Sequence, residues 1–217
     1  MKKLLTLATA ICMTLIFVFQ PISASASASA KTDMTNLLTQ YKKKNYKKAK
    51  TYNKKLNRYA KEASVAKMSK KMKNAYKKVI ETYPLKNDGE FLWGVYFTDM
   101  DNDKKAELLL TYGCCEADLK LLVYKYQNGK AVKVAETYGA GHSTFHAYPS
   151  RNGIVQLSGH MGYETIYVLT LKDGKIQTKE IGHRTVKKDY FPLRVELKNY
   201  VKYGKNYNPY VDYSILK

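Results

Sequence analysis

Cysteine, proline and acid are the scarce ingredients of this chain. Three cysteines occur among 217 residues; Cys12 lies in the first apolar run and Cys114 and Cys115 are adjacent, which excludes a small domain stapled by several disulfides. No proline or glycine interrupts Asp33 to Tyr83, so nothing in that stretch excludes a helix. Eighteen acids face 38 Lys plus Arg, leaving a net charge of +20. Beyond the first twenty residues no apolar stretch is long enough to span a bilayer. A Gly-x-Ser-x-Gly elbow, a phosphate loop and a catalytic-cysteine context are also missing, so the sequence names no reaction. What is present is 45% hydrophobic residues, too many for a disordered chain and enough for one modest packed domain with a charged appendage.

Met1-Lys2-Lys3 precedes an apolar run from Leu4 to Phe19, followed by Pro21 and a Ser-Ala repeat from Ser23 to Ala30. This is the layout of a secretory signal peptide, residues 1–30, with overlapping Ala-Ser-Ala cleavage sites of which the last follows Ala30. Cys12 has Ala10 and Ile11 before it, lacks the small residue that lipoprotein processing needs immediately upstream, and leaves with the leader. The mature chain is expected to start near Lys31, to carry no transmembrane segment and to be secreted, extracellular or associated with the cell wall. The leader resembles Gram-positive bacterial secretion signals.

The remaining charge is unevenly divided. Residues 31–88 hold 18 Lys plus Arg against four acids, net +14, whereas residues 89–217 hold 18 against 14, net +4. A composition shift of this size marks a boundary near Pro84 to Gly89, between a Lys-rich helical segment and a β domain. Within the basic segment Leu38, Tyr41, Ala49, Tyr52, Leu56 and Tyr59 recur at threes, fours and their sums, and Met68, Met72, Tyr76, Val79 and Tyr83 resume the pattern. The period predicts one long helix, or a helical hairpin broken near Ser64 or Ser69, with an apolar stripe and a lysine-covered face. The stripe is expected to pack on the downstream sheet. The lysines are either a solvated outer face or a surface that draws the protein to a polyanion: wall teichoic acid, anionic lipid, extracellular DNA or glycosaminoglycan.

From Phe91 onward the chain reads as short apolar runs separated by Asn128-Gly129, Asn152-Gly153 and Asp173-Gly174, which are tight hairpin signals. The runs 91–98, 106–112, 119–126, 131–138, 153–158, 163–171 and 175–181 predict one antiparallel meander of about seven strands. With the helices it makes an α+β fold. Residues 189–203 read either as a strand broken at Pro192 or as a short helix. Tyr200, Tyr203, Tyr207, Tyr210 and Tyr213 form a Tyr-rich tail that either folds onto the sheet or stacks on sugars or bases.

The sharpest constellation is Asp99-Met-Asp101-Asn-Asp103-Lys-Lys105-Ala-Glu107-Leu108, between two predicted strands. Carboxylates at relative positions one, three, five and nine of a curled loop converge as a hard cation requires, with a backbone carbonyl near Lys105 to complete the ring. The segment 95–110 resembles the Asp-x-Asp-x-Asp-Gly-x-x-Asp/Glu-Leu loops of FG-GAP or VCBS repeats and of uncharacterised secreted Gram-positive proteins. The resemblance implies a structural Ca2+ held by Asp99, Asp101, Asp103 and Glu107. Lys104 stands where that pattern has glycine, and Asn102 replaces another frequent glycine, so both are expected to face a left-handed backbone. Leu110 at position twelve excludes the bidentate glutamate of an EF-hand. The alternative is a polar turn neutralised by Lys104 and Lys105.

Cys114 and Cys115 are a redox candidate with three outcomes open: a strained vicinal disulfide, two free thiols, or links to another chain. His142, His146, His160 and Glu164 lie in or beside the Gly-rich loops and are the residues from which a pocket could be built. On an extended strand His142 and His146 share a face about 13 Å apart, too far for one zinc ion. Two readings of function follow. One is a non-enzymatic binding protein with a basic helical face and a calcium loop. The other is a secreted hydrolase, which requires the His and Glu side chains to converge in one pocket.

Overall fold

The computed structural model describes residues 22–63, 67–86, 89–149, 152–185 and 195–217. The apolar part of the leader, Ser64 and the Asp189 to Pro192 part of the ambiguous segment lie outside the described residues.

The described residues contain both helices and antiparallel sheets, so the fold is α+β. Among the described residues, four helices rather than one or two precede the strands: α1 (Ile22–Lys42), which begins within the expected leader and runs into the basic segment, then α2 (Tyr46–Lys50), α3 (Asn53–Ala63) and α4 (Lys70–Ile80). The break after α1 needs neither glycine nor proline. Lys44 turns the chain at φ 55° and the Asn45 side chain accepts from the Lys48 N–H, ending one helix and capping the next. Ser69 caps α4 in the same way, its hydroxyl accepting from Met72 N at 3.2 Å.

Ten strands follow among the described residues: β1 (Phe91–Thr98), β2 (Glu107–Gly113), β3 (Lys120–Gln127), β4 (Lys130–Tyr138), β5 (Ser143–Ala147), β6 (Ile154–His160), β7 (Tyr163–Lys172), β8 (Lys175–Thr185), β9 (Val201–Tyr203) and β10 (Pro209–Val211). They do not form one seven-stranded meander. β1 to β4 pair in order as sheet A, β5 to β8 pair in order as sheet B, and β9 and β10 make a small ribbon. The chain leaves sheet A at Gly139 (φ 82°) and enters sheet B at β5 through His142 (φ 49°), so β4 and β5 diverge instead of pairing. The Asn128-Gly129 and Asp173-Gly174 turns close β3–β4 and β7–β8 with positive φ at both central residues, the geometry that matches strand twist.

Alternation along the strands divides the interior in two. Leu109, Leu121 and Val123 of sheet A join Phe145, Val155 and Ile166 of sheet B and Met34, Leu37, Tyr41, Leu56 and Tyr59 of the first helices in one buried cluster. Leu108, Leu110 and Leu122, on the other face of sheet A, join α4 and the C-terminal residues Tyr200, Val201, Val211 and Leu216. Met72, Tyr76 and Ile80, at helical spacing, anchor α4 there. Burial of side chains of this size contributes about 1.5–3 kcal/mol each. Of the tail tyrosines, Tyr200 is buried and Tyr203, Tyr207 and Tyr210 are exposed.

Candidate metal centre and basic groove

The acidic segment joins β1 to β2 in sheet A. Asp99 and Glu107 are buried, Asp101 is half-buried and Asp103 is exposed. The two positions that depart from glycine take left-handed backbone, Asn102 at φ 67° and Lys104 at φ 66°. The strain at Lys104 is offset locally, because its N–H donates to Asp99 Oδ2 at 3.0 Å. The rest of the loop curls on its own carboxylates: Asp103 N donates to Asp101 Oδ1 at 3.3 Å, Lys105 N to Asp103 Oδ1 at 2.8 Å, and Met100 N to Glu107 Oε2 at 2.6 Å.

One oxygen from each of Asp99, Asp101 and Glu107 lies within 4.8 Å of the others, a separation that a single hard cation can bridge. The position is already charged. Lys125 reaches in from β3, its ammonium donating to Asp101 Oδ2 and lying 3.5 Å from Asp103 Oδ2 and 4.0 Å from Glu107 Oε1. The donor set therefore suits a hard cation, and a lysine ammonium supplies positive charge at its edge. Lys105 is peripheral, with Nζ 3.8 Å from Asp103 Oδ2. Burial, reinforced by the Asp101 and Asp103 charges, pushes Glu107 up to about 8, while the Met100 N–H and Lys125 pull the other way. Lys125 is raised by its contact with Asp101 and by Glu107 and Asp103, against the opposing effect of its own burial.

Sequence reasoning missed Lys125 because it lies 24 residues from Asp101. Its signal is in the register: Leu108 faces Tyr124, so the next residue of β3 stands beside Glu107.

The loop also seats α4. The Tyr76 hydroxyl donates to the Ala106 carbonyl at 2.7 Å, and Ala106 N donates to Lys67 O at 3.3 Å. Between α4 and the β3–β4 hairpin runs an open groove of about 440 Å³, lined among others by Lys71, Asn74, Lys78, Tyr126 and Lys130. No acid lines it. Lys71 and Lys78 are two helical turns apart on one face, about 10 Å along the axis. Other α4 lysines are engaged elsewhere: Lys73 Nζ donates to the Lys217 carbonyl at 2.7 Å and Lys77 lies 3.7 Å from Glu81. Lys42, Lys43, Lys44, Lys47, Lys48 and Lys54 of the preceding helical region are exposed.

Cys114 and Cys115 occupy the β2–β3 turn as exposed free thiols. The Asp118 carboxylate and the neighbouring Cys115 push the Cys114 thiol up to about 11, the opposite of the activated thiolate that a redox centre uses.

The histidines divide. His142 and His160 come together with ring centroids 5.0 Å apart, and His142 Nδ1 lies 3.1 Å from Glu116 Oε2. His146 is buried in β5, bonded to the Thr144 hydroxyl at 3.0 Å. Its partner across the ladder is Val155, five residues short of His160, which separates the two by roughly 16 Å along the sheet. Glu164 pairs with Gly159 while His160 pairs with Tyr163, so alternation directs Glu164 and His160 to opposite faces. The four residues do not share one pocket.

No protein family matches the chain, and no curated protein or solved structure matches it. No helix among the described residues is long and apolar enough to cross a membrane.

Proposed function

We propose that this is a secreted or wall-associated binding protein that holds a linear anionic polymer in the groove between α4 and the β3–β4 hairpin. The observation that carries the reading is the groove: Lys71, Lys78 and Lys130 line one concave surface without an acid, beside the Tyr126 ring and the Asn74 amide. Three ammoniums on a concave strip suit a chain of phosphates, sulfates or carboxylates better than a flat bilayer does, and teichoic acid, extracellular DNA and glycosaminoglycan share that chemistry. The exposed lysines of the first helices extend the attractive field and raise the association rate. The β1–β2 loop serves the groove structurally. Asp99, Asp101 and Glu107 bring their oxygens together at the base of α4, with Asp103 at the edge, Lys125 as the built-in cation and Ca2+ as an added one.

Titration of the full chain with single-stranded DNA as a generic polyanion, at increasing salt, tests the reading. Each phosphate contact steepens the logarithmic salt dependence by about 0.7 on a single strand. The expected slope corresponds to at least three contacts. Binding that is insensitive to salt contradicts an electrostatic groove. The hydrolase alternative has no comparable support, because His146 and Glu164 lie apart from His142 and His160.

A further inference from the structure

The β2–β3 turn carries a second set of donors, chemically unlike the oxygen-rich loop at the other end of β2. One ligand atom from each of Cys114, Cys115 and Asp118 lies within 4.8 Å of the other two. For a tetrahedral ion with sulfur at about 2.3 Å and oxygen at about 2.0–2.2 Å, ligand atoms stand less than 4 Å apart, so closing the set takes only small side-chain movements. The backbone of the turn is already fixed. Asp118 Oδ1 accepts from both Cys114 N and Cys115 N at 3.0 Å, and a side chain at Gly113 would meet that same oxygen at 2.7 Å. Both cysteines are exposed, so the site is open to an ion from solvent.

The facing loop adds an independent observation. A Cβ at Gly141 would meet the Glu116 carbonyl at 1.8 Å, so the 139–142 loop lies directly on the cysteine turn. That contact places His142 against Glu116 at 3.1 Å, with the His160 ring 5.0 Å beyond. Two thiols, two imidazoles and two carboxylates thus gather at one end of the sheets, a mixture that favours borderline and soft metals where the β1–β2 loop favours hard ones.

We propose that Cys114, Cys115 and Asp118 form a surface site for a thiophilic divalent ion of the Zn2+ class, with the fourth position open. Binding replaces the two thiol protons, which leave to solvent as two metal–sulfur bonds form. No electron is transferred and no oxidant is needed. The site is separate from the polymer groove, so neither reading depends on the other.

The test is titration of the full, reduced chain with Co2+, followed by displacement with Zn2+ and with Ca2+ as the hard-cation control. The expected result is one Co2+ per chain with a thiolate-to-cobalt charge-transfer band, abolished by Zn2+ and untouched by Ca2+. Cys114→Ser and Cys115→Ser should each remove at least half of the band, and Asp118→Asn should weaken binding about tenfold or more. Both cysteines are exposed, so the serine variants are expected to fold, and circular dichroism checks it. Cobalt binding without a thiolate band, binding retained in the cysteine variants but lost in His142→Ala, or two cysteines that resist alkylation until reduced would each overturn the assignment.

Discussion

The Tyr76 hydroxyl donates to the Ala106 carbonyl at 2.7 Å across the buried interface between α4 and the β1–β2 loop. It joins the most acidic segment of the chain to the helix that lines the basic groove. Ala106 is fully buried, so a carbonyl left without this donor is poorly compensated. Tyr76→Phe is therefore expected to lower the unfolding free energy by about 1–3 kcal/mol. Urea denaturation measures it, and an unchanged midpoint would show that the bond does not hold α4 in place.

Lys125 stands among three carboxylates, and its removal tests whether it occupies the position that a divalent cation would take. Lys125→Met keeps the stem and deletes the charge. Without divalent ions it is expected to lose about 1–3 kcal/mol, the cost of leaving half-buried Asp101 and buried Glu107 without their charged partner. Millimolar Ca2+ should restore much of that loss and stabilise the variant more than the parent. Melting temperatures with Ca2+, Mg2+ and chelator decide the matter. A variant that responds to Ca2+ no more than the parent does would contradict competition between lysine and metal for one site.

Glu107 gives the metal-free fold a pH dependence whose sign is fixed. Its carboxyl is raised from the ordinary 4.5 to about 8, so between those values the folded chain binds more protons than the unfolded one. The associated stability is fully present below pH 4.5 and is lost as the pH rises through 8. Glu107→Gln keeps the Oε acceptor for Met100 N and removes the titration, so stability in chelator should flatten between about pH 5 and 8. A slope that survives the substitution would assign it to another group.

Local chemistry was legible in the sequence, and long-range placement was not. The 91–98 run coincides with β1, and two of the three Asx-Gly pairs close the hairpins expected of them, whereas Asn152-Gly153 ends a longer β5–β6 connection in which Asn152 bridges to Asp101. The stripe through Tyr41, Leu56, Met72 and Tyr76 is buried. β5 was missed because Ser143 to Ala147, entered from Gly139-Ala-Gly-His, has no aliphatic alternation to distinguish it from a loop. With β5 unread, the separation into two sheets was also unreadable. The helix break at Lys44 rests on a lysine in left-handed backbone, a conformation that composition does not flag. The carboxylates of the acidic loop could be read from spacing within one segment, whereas Lys125 enters through cross-strand register. The groove depends on α4 crossing the β3–β4 hairpin, which no periodicity encodes.

The most direct test of the account compares two triple variants of equal charge. Lys71→Glu, Lys78→Glu and Lys130→Glu together invert the groove, while Lys172→Glu, Lys175→Glu and Lys179→Glu alter exposed lysines of β7 and β8 by the same total. Binding to polyglycerol-phosphate teichoic acid is measured for both at physiological salt. Loss of at least about tenfold in the groove variant, with the β7–β8 variant within about twofold of the parent and a salt slope reduced by two to three contacts only in the groove variant, is the predicted result. Equal losses in the two variants would contradict it, because binding would then follow net charge and not the groove.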